Sequence, residues 1–202
     1  MDNSGETNRV ELSGKVLSPL EFSHKSYGES FYIFVLGTER KSGYCDEIKV
    51  LLSERLIWEG EPVPEDRVRI KGQIRTYNEF VDGANRLNVL VFARDFGYED
   101  SIKDDNKVML EGYLCKPPIC RTSPLGRDIC DLMLAVNRMY NKSDYIPCIA
   151  WGRNAGYAGS LSVGMKICVS GRMQSREYRK RNEKGESITK VAYEVSILKI
   201  EE

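Results

Sequence analysis

The stretch "RMQSREYRKRNEKGES" (172–187) gathers Arg172, Arg176, Arg179, Lys180, Arg181 and Lys184 around one aromatic ring, Tyr178. Guanidinium and ammonium groups neutralise anions such as phosphate, and an aromatic face accepts a second planar ring. Its Asn-Glu-Lys-Gly core reads as a hairpin tip, so the stretch is expected to project as a basic arm. Upstream, "YIPCIAW" (145–151) alternates Tyr145, Pro147, Ile149 and Trp151 with Ile146, Cys148 and Ala150. In extended chain these sets face opposite sides, so the smaller set can fill a core while Tyr145 and Trp151 point outward. A base stacked on such a ring gains roughly 1–3 kcal/mol whatever its identity. Plainer readings fit the same residues: Trp151 and the tyrosines as core or subunit contacts, and the arm as a solvated hairpin.

Reactive chemistry has little support. The chain holds one histidine, His24, and no G-x-S-x-G or phosphate-binding glycine loop. Paired carboxylates occur at 65–66 and 104–105, in turn-like or linker-like sequence. The six cysteines form no C-x-x-C pair, and with a single histidine they do not build a zinc site. The expectation is a protein that is not an enzyme and has no metal or cofactor. The start, "MDNSGETN", lacks the basic and apolar regions of a signal peptide, and no apolar run approaches ~20 residues. A cytoplasmic protein without a membrane partner is expected, with reduced cysteines. Cys130, Cys148 and Cys168 lie in apolar runs and read as buried thiols.

The chain repeats itself. "NRVELSG" (8–14) returns as "NKVMLEG" (106–112), and "DRVRIKGQIRTYNEF" (66–80) as "MKICVSGRMQSREYR" (165–179), at offsets of 98 and 99 residues. Two copies follow, at 1–98 and 106–202, with the polar, acidic segment 99–105 as linker. They differ in charge: residues 1–105 hold 14 Lys+Arg against 20 Asp+Glu, a balance of −6, and residues 106–202 hold 16 against 10, a balance of +6.

Each copy alternates with period two along about five segments, which means strands. In the second they are "NKVMLEGYL", "DLMLAVNR", "YIPCIAW", "KICVSGRMQSREY" and "VAYEVSILKI". Between the third and fourth lies "SERLIWEGEPVPED" or "GRNAGYAGSLSVG", long enough for one helix. Glycines inside strands (Gly14, Gly72, Gly112, Gly171) suit the tight bends of a small barrel. The predicted fold is all-β: two tandem five-stranded OB-fold barrels, each with a short helix after its third strand. An unrelated small barrel fits the same pattern.

Here a family likeness enters. "NKVMLEGYLCKPPICRTSPLGRDICDLMLAVNR", "IAWGRNA", "VGMKICVSGRMQSREY" and "YEVSILKI" resemble, in order and spacing, the bacterial single-strand DNA-binding proteins. The likeness covers residues 106–200, and the first copy looks like a diverged version. It implies sequence-independent binding of single-stranded DNA, in replication, recombination or repair, with bases stacked on outward aromatics. Those positions fall on Tyr140, Tyr145, Trp151 and Tyr178. Arg172, Arg176, Arg179, Lys180 and Arg181 become phosphate contacts, with Arg138, Lys142, Arg153, Arg121 and Arg127 as further candidates.

At the equivalent positions the first copy carries Ser42, Glu47, Ser53 and Glu79, although Tyr44, Tyr77 and Phe80 lie nearby. A mainly structural or partner-binding role is expected for it. The resemblance also implies four OB-folds per assembly, which a homodimer of this chain would supply. The sequence ends at "LKIEE", where family members carry an acidic tail that recruits other proteins. That points to a specialised or mobile-element-borne relative, with replication or recombination proteins as possible partners. The alternative is a tandem OB-fold adaptor in replication or plasmid maintenance, with nucleic-acid contact secondary.

Overall fold

A computed structural model describes residues 6–100, 103–182 and 184–201. Residues 101–102 of the expected linker and Glu183 at the expected hairpin tip lie outside the described residues. The first copy forms β1 (Asn8–Val16), β2 (Glu21–Ser26), β3 (Glu29–Glu39), β4 (Cys45–Ser53), β5 (Arg67–Val81) and β6 (Ala84–Tyr98). The second forms β7 (Asp105–Leu114), β8 (Ile119–Thr122), β9 (Asp128–Arg138), β10 (Lys142–Trp151), helix α1 (Arg153–Gly159), β11 (Lys166–Arg181) and β12 (Ser187–Glu201).

Each copy closes on itself. Strands pair in the order β1-β3-β4-β6-β5 and back to β1, and β7-β9-β10-β12-β11 and back to β7. The parallel contacts β4–β6 and β10–β12 are the OB-type closures of the two barrels. Alternation fills them: Val10, Leu12, Leu36, Val50, Ile70 and Val91 in the first, and Val108, Leu110, Leu134, Ile146, Ile167 and Val195 in the second, are all buried. Gly72 and Gly171 sit where the fourth strand of each barrel shifts register against the fifth. A Cβ there would stand 2.2 Å from the Phe92 carbonyl oxygen and 2.1 Å from that of Ser196, so only glycine permits the approach.

Three features depart from expectation. Each barrel gains a short outer strand, β2 or β8, paired to the strand after it. After β4 the first copy makes one 3-10 turn, Glu54–Leu56, instead of a helix. Gly60, Pro62 and Pro64 follow directly, and proline withholds the donors that a longer helix needs. Lastly, Cys120 and Cys130 are joined as a disulfide. They face each other across β8 and β9 with Cα atoms 4.1 Å apart. The pairing is set by strand register, so sequence spacing offered no sign of it. Cys45, Cys115, Cys148 and Cys168 remain free.

The repeated opening phrase builds the junction. Strands β1 and β7 run antiparallel with Val10 opposite Val108, merging both barrels into one twelve-stranded sheet. Asn8 clamps the backbone of Ile74, donating to its carbonyl (2.8 Å) and accepting from its N–H (2.9 Å). Asn106 does the same to Met173, at 2.8 and 2.9 Å. Fully buried Asp46 of the first copy accepts from Ser175 N–H (3.0 Å), and fully buried Asp144 of the second accepts from Thr76 N–H (2.8 Å). Ser175 Oγ and Thr76 Oγ1 accept in turn from the N–H groups of Glu47 and Tyr145, each at 2.9 Å. The copies are therefore exchanged by an approximate two-fold relation.

Removing Asp144 leaves the buried Thr76 N–H without its acceptor and takes the shared counter-charge from Arg75 and Arg138. Asp144→Ala is expected to cost about 3 kcal/mol. The effect should appear as a lower urea midpoint, and an unchanged midpoint would show that the junction does not depend on Asp144.

Candidate nucleic-acid interface

Strand β10 presents the aromatic set. Ile146, Cys148 and Ala150 turn into the barrel, while Tyr145 is 51% exposed and Trp151 half-buried on the other face. Ile149, on that outer face, is buried as well. Trp151 Nε1 donates to Ser196 Oγ at 3.2 Å, and the Arg127 guanidinium stands 5.2 Å from the ring centroid. The indole is thus oriented by one hydrogen bond and flanked by a cation. Tyr140 is 87% exposed in the turn between β9 and β10. Both Tyr140 and Asn141 have left-handed backbones there, with φ of 63° and 53°, within a three-residue turn that closes with Arg138 opposite Lys142. Tyr178 is 38% exposed on β11, with the Arg176 guanidinium 6.0 Å from its centroid.

The basic residues divide into three groups. Arg179, Lys180 and Arg181 are exposed along the outer end of β11, a two-stranded ribbon with β12. Asn182 organises its turn by accepting from the Lys184 and Glu186 N–H groups. Lys142 and Arg153 are also exposed, at the starts of β10 and α1. Arg176 is committed internally: its Nε donates to Glu194 Oε1 at 2.8 Å, which raises its pKa. Arg172 is half-buried, its pKa is lowered by burial and then by the nearby Arg40 charge, and its Nε has no hydrogen-bond partner. Arg138 stands apart from the rest. It lies 3.6 Å from Asp144 and faces the first copy.

Sequence reasoning missed Arg40 altogether and named Tyr44 only as a ring that could substitute, after a register shift, within the first copy. Both stand on the turn between β3 and β4, carried across the junction to Trp151. A cleft of about 380 Å³ is lined by Arg40, Tyr44, Trp151, Gln174, Ser175 and Arg176, among others. A neighbouring cleft of about 440 Å³ adds Arg127, Asn154 and Arg172. Tyr44 Oη donates to the Ser175 carbonyl (3.2 Å), and the Arg40 guanidinium lies 4.5 Å from the Tyr44 centroid. Asp46 holds that guanidinium by two bonds, from Nε (2.7 Å) and a terminal nitrogen (2.5 Å). No sequence signal within either copy could have shown this, because it arises from the junction.

Two of the first copy's aligned side chains, Ser53 and Glu79, are hydrogen-bonded within that copy. Ser53 caps the 3-10 turn by accepting from Arg55 N–H, Glu47 N–H donates to Ser175 Oγ, and Glu79 accepts from Asn88. Ser42 lies in the β3–β4 turn.

The chain also resembles known proteins. Residues 105–199 match the model of the single-strand binding protein family. A single-stranded DNA-binding protein of Clostridium tetani is 36% identical over 101 residues, covering 46% of this chain and 70% of that protein. Single-stranded DNA-binding protein 1 of Staphylococcus aureus is 36% identical over 93 residues, covering 43% of this chain and 56% of that protein. The wild-type single-stranded DNA binding protein from Thermus aquaticus superposes with a TM-score of 0.75 over 96% of this chain and 91% of that one, at 22% identity. That likeness speaks for the tandem fold. Taken with the identity to the C. tetani protein over most of its length, the second copy makes the chain a member of the single-strand binding protein family, with a binding surface in place of an active site.

Proposed function

We propose that the second copy binds single-stranded DNA without base preference, stacking bases on Tyr140, Tyr145, Trp151 and Tyr178 and meeting phosphates with the β11–β12 arm. The observation that carries this is the Trp151 cleft: an oriented indole walled by Tyr44 and rimmed by Arg40, Arg127, Arg172 and Arg176. Rings without hydrogen-bonding specificity, set among cations, suit a strand whose bases are splayed and whose backbone is anionic. Family membership and the names of the relatives support the same ligand. A role in replication, recombination or repair, and a cytoplasmic location, belong to this reading.

Trp151→Ala is expected to weaken oligo-dT binding by roughly 1–3 kcal/mol. Trp58 lies in the loop after β4, so a Trp58→Phe background isolates the Trp151 emission, which should fall as oligonucleotide is added. Wild-type affinity in Trp151→Ala would remove this ring from the platform.

Replacing Arg179, Lys180 and Arg181 together by Ala should flatten the salt dependence of binding, by about 0.7 in slope for each phosphate no longer neutralised. Affinity for different sequences should fall alike, because phosphate contacts carry no base information. An unchanged salt slope would make the arm a solvated hairpin.

Two barrels per chain reach four in a homodimer, and closed two-fold symmetry is the commonest form of oligomer. Light scattering should give twice the 23.0 kDa chain mass. A monomer at every concentration, with and without oligonucleotide, would confine each bound strand to two barrels.

A further inference from the structure

Strand β8 has little to hold it. All four of its residues, Ile119–Thr122, are exposed, and it pairs with β9 alone. The hairpin it forms with β9 nonetheless carries part of the candidate surface. Arg127 stands at its turn, 5.2 Å from the Trp151 ring centroid, and Ile129 lies opposite Trp151. On the β9 side the Asp128 carbonyl accepts from the Gly152 N–H at 2.9 Å. On the β8 side Ser123 grips Arg127, donating its N–H to the Arg127 carbonyl (2.8 Å) and accepting the Arg127 N–H on Oγ (3.0 Å). The place of Arg127 over the indole therefore depends on β8 staying where it is.

The Cys120–Cys130 bond fastens that strand to the barrel. Cys130 is wholly buried on β9 opposite Ala150, whereas Cys120 is exposed beside α1, its Sγ 3.9 Å from the Ala155 carbonyl oxygen. A Cβ on Gly159 would stand 2.9 Å from the same sulfur, so the helix packs closely against it. The first copy fastens the equivalent pair differently. Phe22 and Tyr32, each 98 residues earlier, face each other across β2 and β3 with rings edge to face at 6.0 Å. One copy holds its outer strand by ring contact and the other by a covalent bond. Only the covalent bond can be opened by reduction.

We propose that this disulfide is a redox switch on strand binding: closed, it seats Arg127 over Trp151, and opened, it lets β8 fray and Arg127 leave the ring. The inference rests on the DNA-binding reading of the second copy. In a reducing compartment a disulfide is mostly transient and redox-sensing, and here one of its sulfurs is open to attack. A thiolate of a small dithiol attacks Cys120 Sγ, the S–S bond breaks, and Cys130 departs as a thiolate. The second thiolate of the dithiol then displaces Cys120 from the mixed disulfide. Two cysteine thiols and one oxidised dithiol result, and the two protons shed by the reductant end on Cys120 and Cys130. The reverse exchange, with a small-molecule disulfide as oxidant, closes the bond again. Once open, β8 keeps only its pairing with β9, and a strand without buried side chains opens at low cost.

The test compares the full chain prepared without reductant and the same protein after dithiothreitol. Iodoacetamide on the denatured chain should label four of its six cysteines before reduction and all six after it. With no nucleic acid present, amide hydrogen exchange across β8 and its turn should quicken on reduction. Oligo-dT should bind the reduced form roughly fivefold more weakly, as expected for a cation lost from beside an aromatic ring. Cys120→Ser, at an exposed position, should match reduced wild type and no longer respond to dithiothreitol. Arg127→Ala should also bind like reduced wild type in both states, because the switch has nothing left to move. Equal affinity of oxidised and reduced wild type, unchanged exchange in β8, or six labels before reduction would each overturn this inference alone. A redox step that survives in Arg127→Ala would overturn it as well. Binding of oligo-dT by neither form would remove the DNA-binding reading itself, and this inference with it.

Discussion

The structure turns on two buried carboxylates that each leave their own barrel. Asp46 and Asp144 are fully shielded from water, and each accepts a backbone N–H from the other copy's fourth strand. A buried charge is costly unless it is paired and hydrogen-bonded, and both conditions are met here. Asp46 holds Arg40 by two bonds, and Asp144 lies between Arg75 and Arg138. Antiparallel pairing of β1 with β7 supplies the continuous backbone around them. Such pairing alone tolerates slippage, whereas a carboxylate that must find one N–H does not.

The same two residues shape the candidate surface. An arginine tied to a buried aspartate gives up most of its rotamer freedom, so its guanidinium is already placed when a ligand arrives. Arg40 is thereby fixed beside Trp151, while Arg138, 3.6 Å from Asp144, lines a cleft with His24 and Phe92. Neither cleft belongs to one copy. A barrel separated from its neighbour would lack a cation on its rim, and the first barrel would take Tyr44 from the wall beside Trp151.

Within this symmetric frame the copies have diverged. The second carries the exposed arm of Arg179, Lys180 and Arg181 and a net charge of +6, while the half up to residue 105 carries −6.

Sequence alone determined the duplication, the two five-stranded closures and the parity of β10, because period-two alternation and in-strand glycines are local consequences of a small barrel. It also carried the family likeness, which resides in contiguous stretches of the second copy. Tyr140, Tyr145, Trp151 and Tyr178 were named from those stretches. Other features were beyond it. Cys120 and Cys130 meet through strand register, while "SERLIWEGEPVPED" has the length for a helix but ends in prolines that stop it. Arg40, Tyr44 and Arg138 acquire their sites across the junction, nearly a hundred residues from what they face. Periodicity speaks of which side of its own strand a residue takes; only the docking of β1 on β7, with Asp46 and Asp144 crossing it, decides what stands opposite.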